Sequence, residues 1–128
     1  MPEKLGVTID EIAQELKDQT PIAKGSFSCV GEETFNATLK ATGCRQVLLV
    51  GIETHVCVYQ TAMHLLDGGF EVELVTDATS SRTSANRNLA IEKMQHGGVG
   101  LTSTEMVLFE LMGTATHPAF RDIQKIIK

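Results

Sequence analysis

Gly51-Ile52-Glu53-Thr54-His55-Val56-Cys57 runs from an apolar segment into a helix-like one and ends on a thiol. A thiol at the start of a helix lies in the positive end of the helix dipole, beside backbone N–H groups without intrahelical acceptors. Both conditions favour the thiolate and lower the pKa from its free value of about 8.5. The same N–H groups can cradle an oxyanion. This is equipment for nucleophilic attack on a carbonyl, although packing of Cys57 beneath the helix explains its position equally well. A second candidate is Lys24, in Ala23-Lys24-Gly25-Ser26-Phe27-Ser28. There the small neighbours let the backbone approach a site closely; the alternative is a solvated surface lysine. The third stretch, Asp77-Ala78-Thr79-Ser80-Ser81-Arg82, reads as a hydrogen-bonded turn with Arg82 paired locally, because Ser and Thr hydroxyls bond nearby backbone.

His55 invites a Cys–His pair, but it stands two residues from Cys57, and the better expectation is an exposed loop histidine. His64 falls inside a helix-like segment, His96 at a helix end and His117 before a proline, so each reads as structural or solvated. Cys29, Cys44 and Cys57 form an odd set without CxxC spacing, which argues against a disulfide framework and against zinc. A redox role for Cys57 would need Cys29 or Cys44 as a resolving thiol, and spacing alone does not bring either close.

The elements that must position these residues alternate. Gln46 to Ile52 is a compact apolar run ending at a glycine-containing turn. Cys57 to Leu66 follows as a helix, with apolar positions 58, 62, 65 and 66 and Gly68-Gly69 as its stop. Phe70 to Val75 alternates like a strand and runs into Asp77. Ser84 to Gln95 is a helix ended by Gly97-Gly98, and Val99 to Leu101 is a short strand. Thr102-Ser103-Thr104-Glu105 matches a capping box before the apolar helix Met106 to Met112, and Pro118 to Ile127 packs outside. Upstream, Ile9 to Leu16 reads as a short acidic helix, 20–24 as a short strand or extended segment and Phe35 to Lys40 as a helix. Such alternation means an α/β fold, a parallel sheet with helices on both faces joined by right-handed crossovers. Ligands of such sheets sit at the carboxyl ends of the strands, where all three candidate stretches fall.

With 128 residues, 42% hydrophobic and 21% charged, the chain suits one soluble domain rather than a disordered or disulfide-stapled one. Its formal charge of −5 and the lack of a Lys/Arg-rich run leave no footprint for nucleic acid. No apolar run approaches the roughly 20 residues of a membrane span, and the opening residues are neither a secretory signal nor a transit peptide.

Lys24 to Ser28, Gly51 to Val58, Asp77-Ala78 with Ser81-Arg82, and Thr102 to Glu105 occur in the order seen in isochorismatase-like cysteine hydrolases. The chain resembles that family over essentially all of its length. Its ending, His117-Pro118-Ala119-Phe120-Arg121-Asp122, looks most like the branch found in mitochondria and many bacteria. The resemblance implies a three-layer αβα domain with a mostly parallel, Rossmann-like sheet. It implies Cys57 as nucleophile toward a small amide, carbamoyl or related carbonyl substrate, with Lys24 stabilising the thiolate. It also implies a cis peptide at Ile52–Glu53, which turns the Glu53 N–H toward the site to join the Cys57 N–H in an oxyanion hole. Phe27 and Thr54 match positions at the substrate pocket. Cleavage of isochorismate's vinyl ether is not implied, because enzymes doing that chemistry lack this cysteine.

The sequence departs from the family at its start. The family's catalytic Asp ends a first strand that has no counterpart before Lys24, since Asp10 and Asp18 lie in polar, helix-like surroundings. Residues 1–128 therefore read as a single domain lacking its N-terminal strands and its acid, and hence as an impaired hydrolase. Three origins are open: a fragment of a complete enzyme, a chain whose exposed edges are filled by a partner, or a non-catalytic interaction and oligomerisation module. Unpaired strand edges lead to an expected homo-oligomer. The other expectations are no cofactor, no metal, no nucleic-acid or membrane partner, and a cytoplasmic site, mitochondrial if a leading segment has been lost.

Overall fold

Burial alternates along Gln46–Ile52, the pattern of a strand with one covered face. Val47 and Leu49 pack toward the core, whereas Leu48, Val50 and Ile52 are 47%, 58% and 74% exposed. In the computed structural model, which describes residues 6–127, this strand is β1. It pairs in parallel with β2 (Glu71–Ser80), and β2 with β3 (Gly100–Thr102), in the order β1-β2-β3. Parallel strands need long crossovers, and two helices supply them: α3 (Tyr59–Asp67) from β1 to β2, and α4 (Ser84–His96) from β2 to β3. Before the sheet lie α1 (Asp10–Ala13) and α2 (Glu33–Ala41); after it come α5 (Thr104–Met112) and α6 (Phe120–Ile126).

One face of the sheet carries the core. Val72 and Leu74 of β2 meet Ala62 and Leu65 of α3, Ala90 and Met94 of α4, and Val58 and Val99. Phe35 and Leu39 of α2 close its margin. On the opposite face, Val107, Glu110 and Leu111 of α5 share with Leu48 and Glu73 a concavity of about 630 Å³. Helices thus flank the sheet on both sides. Phe120 anchors α6 on α5 through an edge-to-face contact with Phe109, ring centroids 6.3 Å apart.

Residues 20–24, read as a short strand or extended segment, enter no strand. Four local expectations need correction. Only Asp10–Ala13 of the expected Ile9–Leu16 helix is helical. The helix expected from Cys57 begins earlier, as a π turn over Thr54–Val58 that leads into α3. The cap of α5 is Ser103, whose hydroxyl accepts from the Met106 N–H at 3.2 Å; Thr102 is taken by the sheet, paired with Val75. Finally, β2 continues through Ser80. Two steps along β1, Leu49 to Gly51, oppose five along β2, Leu74 to Thr79, so β2 carries a wide bulge there. Gly51, at φ 108°, sits where the register jumps, and a side chain would be strained in that conformation.

The two faces of the sheet differ in what truncation should cost. Leu74→Ala, at a fully buried position, should lower the unfolding free energy by about 2–5 kcal/mol. Leu48→Ala should cost about 0.5 kcal/mol or less if that face is open. Urea denaturation of both variants checks this, and equal costs would mean that the outer face is covered in solution.

Candidate active site

Three consecutive residues after β1 are each tied by a side chain to the end of β2. Glu53 accepts from the Arg82 main-chain N–H and Nε at 3.0 and 3.1 Å through Oε1, and from Nη2 at 2.9 Å through Oε2. Thr54, fully buried, lies 2.9 Å from the Thr79 hydroxyl. His55 Nδ1 lies 3.0 Å from the Ser81 hydroxyl. Thr79 Oγ1 also donates to the Gly51 carbonyl at 2.8 Å. A hydroxyl has one proton; with Thr79's given to Gly51, Thr54 must be the donor to Thr79. The order Thr54 to Thr79 to Gly51 closes the loop on itself.

Within this frame the Ile52–Glu53 peptide is cis. The Glu53 carbonyl then accepts from both Val56 and Val58 N–H, at 3.1 and 3.2 Å, and the half-buried Cys57 stands between these two donors. The thiol therefore sits inside a π turn at the carboxyl end of β1, not on the first residue of a regular helix.

The bulge of β2 has its own supports. Arg87 of α4 donates through Nε to the Thr79 carbonyl at 3.1 Å and through Nη2 to the Thr76 carbonyl. Asp77 accepts from the main-chain N–H and hydroxyl of Thr104 at 2.8 and 3.1 Å, so the bulge also caps α5. The Thr104 N–H is the main cause holding the Asp77 carboxyl below its usual range.

Lys24 lies in a loop packed onto α3. Its ammonium donates to the Ser26 and Phe27 carbonyls at 2.8 and 2.7 Å. Glu32 accepts from the Ser26 and Gly25 main-chain N–H groups at 3.1 and 2.8 Å, and these donors lower its pKa. Farther along, the Cys29 N–H donates to Thr61 Oγ1 at 3.0 Å, and His64 Nδ1 lies 3.0 Å from the buried Ser28 hydroxyl. The Lys24 loop and the Cys57 turn thus share α3 as a common wall.

Two expectations change here, those for His55 and Arg82. His55 is half-buried and bonded to Ser81, not an exposed loop histidine. Arg82 pairs 29 residues away rather than locally, because β2 continues past its expected end. Thr54 ties down the turn with its only hydroxyl, and Phe27 is 60% exposed on the loop surface. The concavity of about 630 Å³ opens at the amino ends of β1 and β2, opposite to Cys57. A smaller one, about 170 Å³, is lined by His55, Tyr59, Asn86, Leu89, Ala90 and Lys93. Neither takes in Cys57, Lys24 or Phe27. Sequence reasoning gave Thr79 and Ser81 local partners and missed Arg87; the hydroxyl-rich run 79–83 looks the same whether its partners are local or distant. Among the described residues, no three His, Cys, Asp or Glu side chains converge as a metal site, and no helix is long and apolar enough to cross a membrane.

Residues 4–106 match the family described as Isochorismatase domain. The secreted isochorismatase effector Isc1 of Phytophthora sojae is 43% identical over 129 residues, covering 98% of this chain and 61% of that protein. The chain thus spans about three fifths of this curated relative. The structure of MAR1 ribonuclease from Caenorhabditis elegans superposes with a TM-score of 0.88 at 40% identity, covering 98% of this chain and 65% of that one. Two YcaC structures superpose at 26% identity, each covering 95% of this chain and 67% of theirs. The one from Escherichia coli, an octameric hydrolase of unknown specificity, has a TM-score of 0.83. The one from Pseudomonas aeruginosa, with hexane-2,5-diol and covalent acrylamide, has a TM-score of 0.81.

The site's ion pair has a pH signature. Hydrogen bonds from the Arg82 guanidinium, then from its main-chain N–H, hold the Glu53 carboxyl down at about 2 from 4.5. Because the folded value is the lower one, the contribution is present above about 4.5 and is lost as pH falls through about 2. The thermal-midpoint gap between the native chain and Arg82→Ala should therefore hold constant from about pH 7 to about pH 5 and narrow on further acidification. A gap that persists undiminished at the acid end would show that Glu53's charge is not its source.

Proposed function

Taking as premise that the chain belongs to the isochorismatase family, we propose that it carries a hydrolase site with Cys57 as nucleophile toward a small amide, carbamoyl or related carbonyl compound. The observation that carries this reading is the placement of Cys57 in the π turn at the carboxyl end of β1, where ligands of parallel sheets bind. The Cys57 thiolate attacks the carbonyl carbon, and the tetrahedral oxyanion takes the N–H groups of Glu53 and Cys57. On collapse the amine takes back, from the acceptor, the proton that the thiol gave up and departs, leaving a thioester; water then adds, releases the carboxylic acid and returns the thiol. Lys24 stabilises the thiolate. Phe27 supplies an apolar wall to the substrate. The covalent acrylamide in the Pseudomonas relative accords with a nucleophilic side chain in that protein.

The thiol proton needs an acceptor. Glu32, Glu53 and Asp77 are each engaged by hydrogen-bond donors of the fold, so the 128-residue chain by itself turns over weakly or not at all unless a carboxylate joins from elsewhere. Although one relative is a ribonuclease, the −5 charge of this chain favours a small substrate over a phosphate backbone.

The pH dependence of iodoacetamide alkylation, followed peptide by peptide, tests this reading. Cys57 should show a midpoint well below about 8.5 that rises in Lys24→Ala, with Cys29 and Cys44 as internal controls. Where turnover is measurable, Cys57→Ser should abolish it. A Cys57 midpoint at or above the controls would favour the second reading, a non-catalytic association module.

The exposed apolar row Leu48, Val50 and Ile52 on β1 supports self-association under either reading, and the Escherichia coli relative is octameric. Light scattering should find the chain larger than a monomer at raised concentration. A stable monomer would overturn the association.

A further inference from the structure

We propose that Arg82 is a positioning residue for the Cys57 turn, holding through Glu53 the backbone on which that turn closes. The chemical consequence rests on the Cys57 reading above; the mechanical part does not. Ordinary surface ion pairs do little, because two long side chains must be ordered to make a single screened contact. This pair is different in construction. Three donors of one residue reach one carboxylate: Arg82 N and Nε at Oε1 and Nη2 at Oε2, at 3.0, 3.1 and 2.9 Å. The fork fixes the plane of the carboxylate, and the main-chain N–H, which needs no side-chain ordering, fixes where it lies. The Glu53 side chain keeps only 26% of its exposure, against 73% for Arg82.

Both ends of the clamp are set by other contacts. Arg82 leaves β2 directly after a bulge whose Thr76 and Thr79 carbonyls are held by Arg87. Glu53 supplies the carbonyl that accepts from both Val56 and Val58 N–H, the two donors flanking Cys57. Displacing Glu53 displaces both acceptor bonds of the turn at once. Thr54 and His55 add ties to Thr79 and Ser81, but neither carries the carbonyl on which Val56 and Val58 converge. Arg82 therefore transmits the frame of β2 and α4 to the thiol, acting through Glu53 alone.

The test compares the native chain with Arg82→Ala and Arg82→Lys, using two readouts: amide hydrogen exchange and the pH midpoint of Cys57 alkylation. In Arg82→Ala, exchange at Val56 and Val58 should rise about fivefold, near the upper end for a solvent-reached pair of good geometry, while the Leu74 and Met94 amides stay unchanged. The Cys57 midpoint should move toward those of Cys29 and Cys44. Lysine keeps the charge and loses the fork, so Arg82→Lys should behave like Arg82→Ala in both readouts. Unchanged exchange at Val56 and Val58 in Arg82→Ala would overturn the proposal, and so would full recovery in Arg82→Lys, which would reduce Arg82 to a point charge. If the native Cys57 midpoint already equals the controls while exchange responds as expected, the nucleophile reading fails and Arg82 stands as the anchor of the turn.

Discussion

Main-chain pairing between β1 and β2 is interrupted just where the chain must leave the sheet toward Cys57, and everything about the site follows from how that gap is closed. Between the Leu49 and Gly51 pairings, β2 spends more residues than β1, and beyond the gap the ladder resumes only at Gly51 with Thr79 and Ile52 with Ser80. Side chains reinforce that short stretch. Thr79 reaches the Gly51 carbonyl and the Thr54 hydroxyl, Ser81 meets His55, and Arg82 grips Glu53. The turn carrying the thiol is fixed sideways, from the neighbouring strand, more than along its own chain.

The same bulge looks outward in two further directions. Arg87 joins it to α4, and Asp77 joins it to the first turn of α5. A carboxylate at a helix N-terminus meets both free N–H donors and the positive end of the dipole, so Asp77 satisfies two demands with one group. The elements on the two faces of the sheet are thereby tied to one irregular segment of β2, and the hydrophobic core of Leu65, Leu74 and Met94 lies beside that segment without having to define it.

The framework was legible in the sequence because it depends on local periodicity. The apolar runs at 46–52 and 70–75, the helical spacing of Val58, Ala62 and Leu65, and the glycine stops each encode an element within a few residues. The strand-to-helix setting of Cys57 was legible for a related reason: it follows from the apolar run and the helical spacing on either side of the turn. The second half of β2 was not. Asp77-Ala78-Thr79-Ser80 is polar and turn-like, and it is extended only because partners near residues 51–54, 87 and 104 draw it out. Thr102 resembled a cap for the same reason, since its true employment, pairing with Val75, lies across the sheet. The capping role passed to Ser103, one position on.

A regular strand ladder is indifferent to side-chain chemistry, because every residue except proline brings the same donor and acceptor. By replacing part of that ladder with a bulge, this fold gives up the indifference. Position 79 must carry a hydroxyl able to donate and accept, position 82 a planar fork, and position 77 a short carboxylate. The geometry of the turn therefore leans on three residues assigned no role in the bond-making chemistry. A relative that kept the thiol but changed these three together would have to route its strand ends differently. Identity at these positions would then mark inheritance of the loop's geometry rather than of any particular substrate.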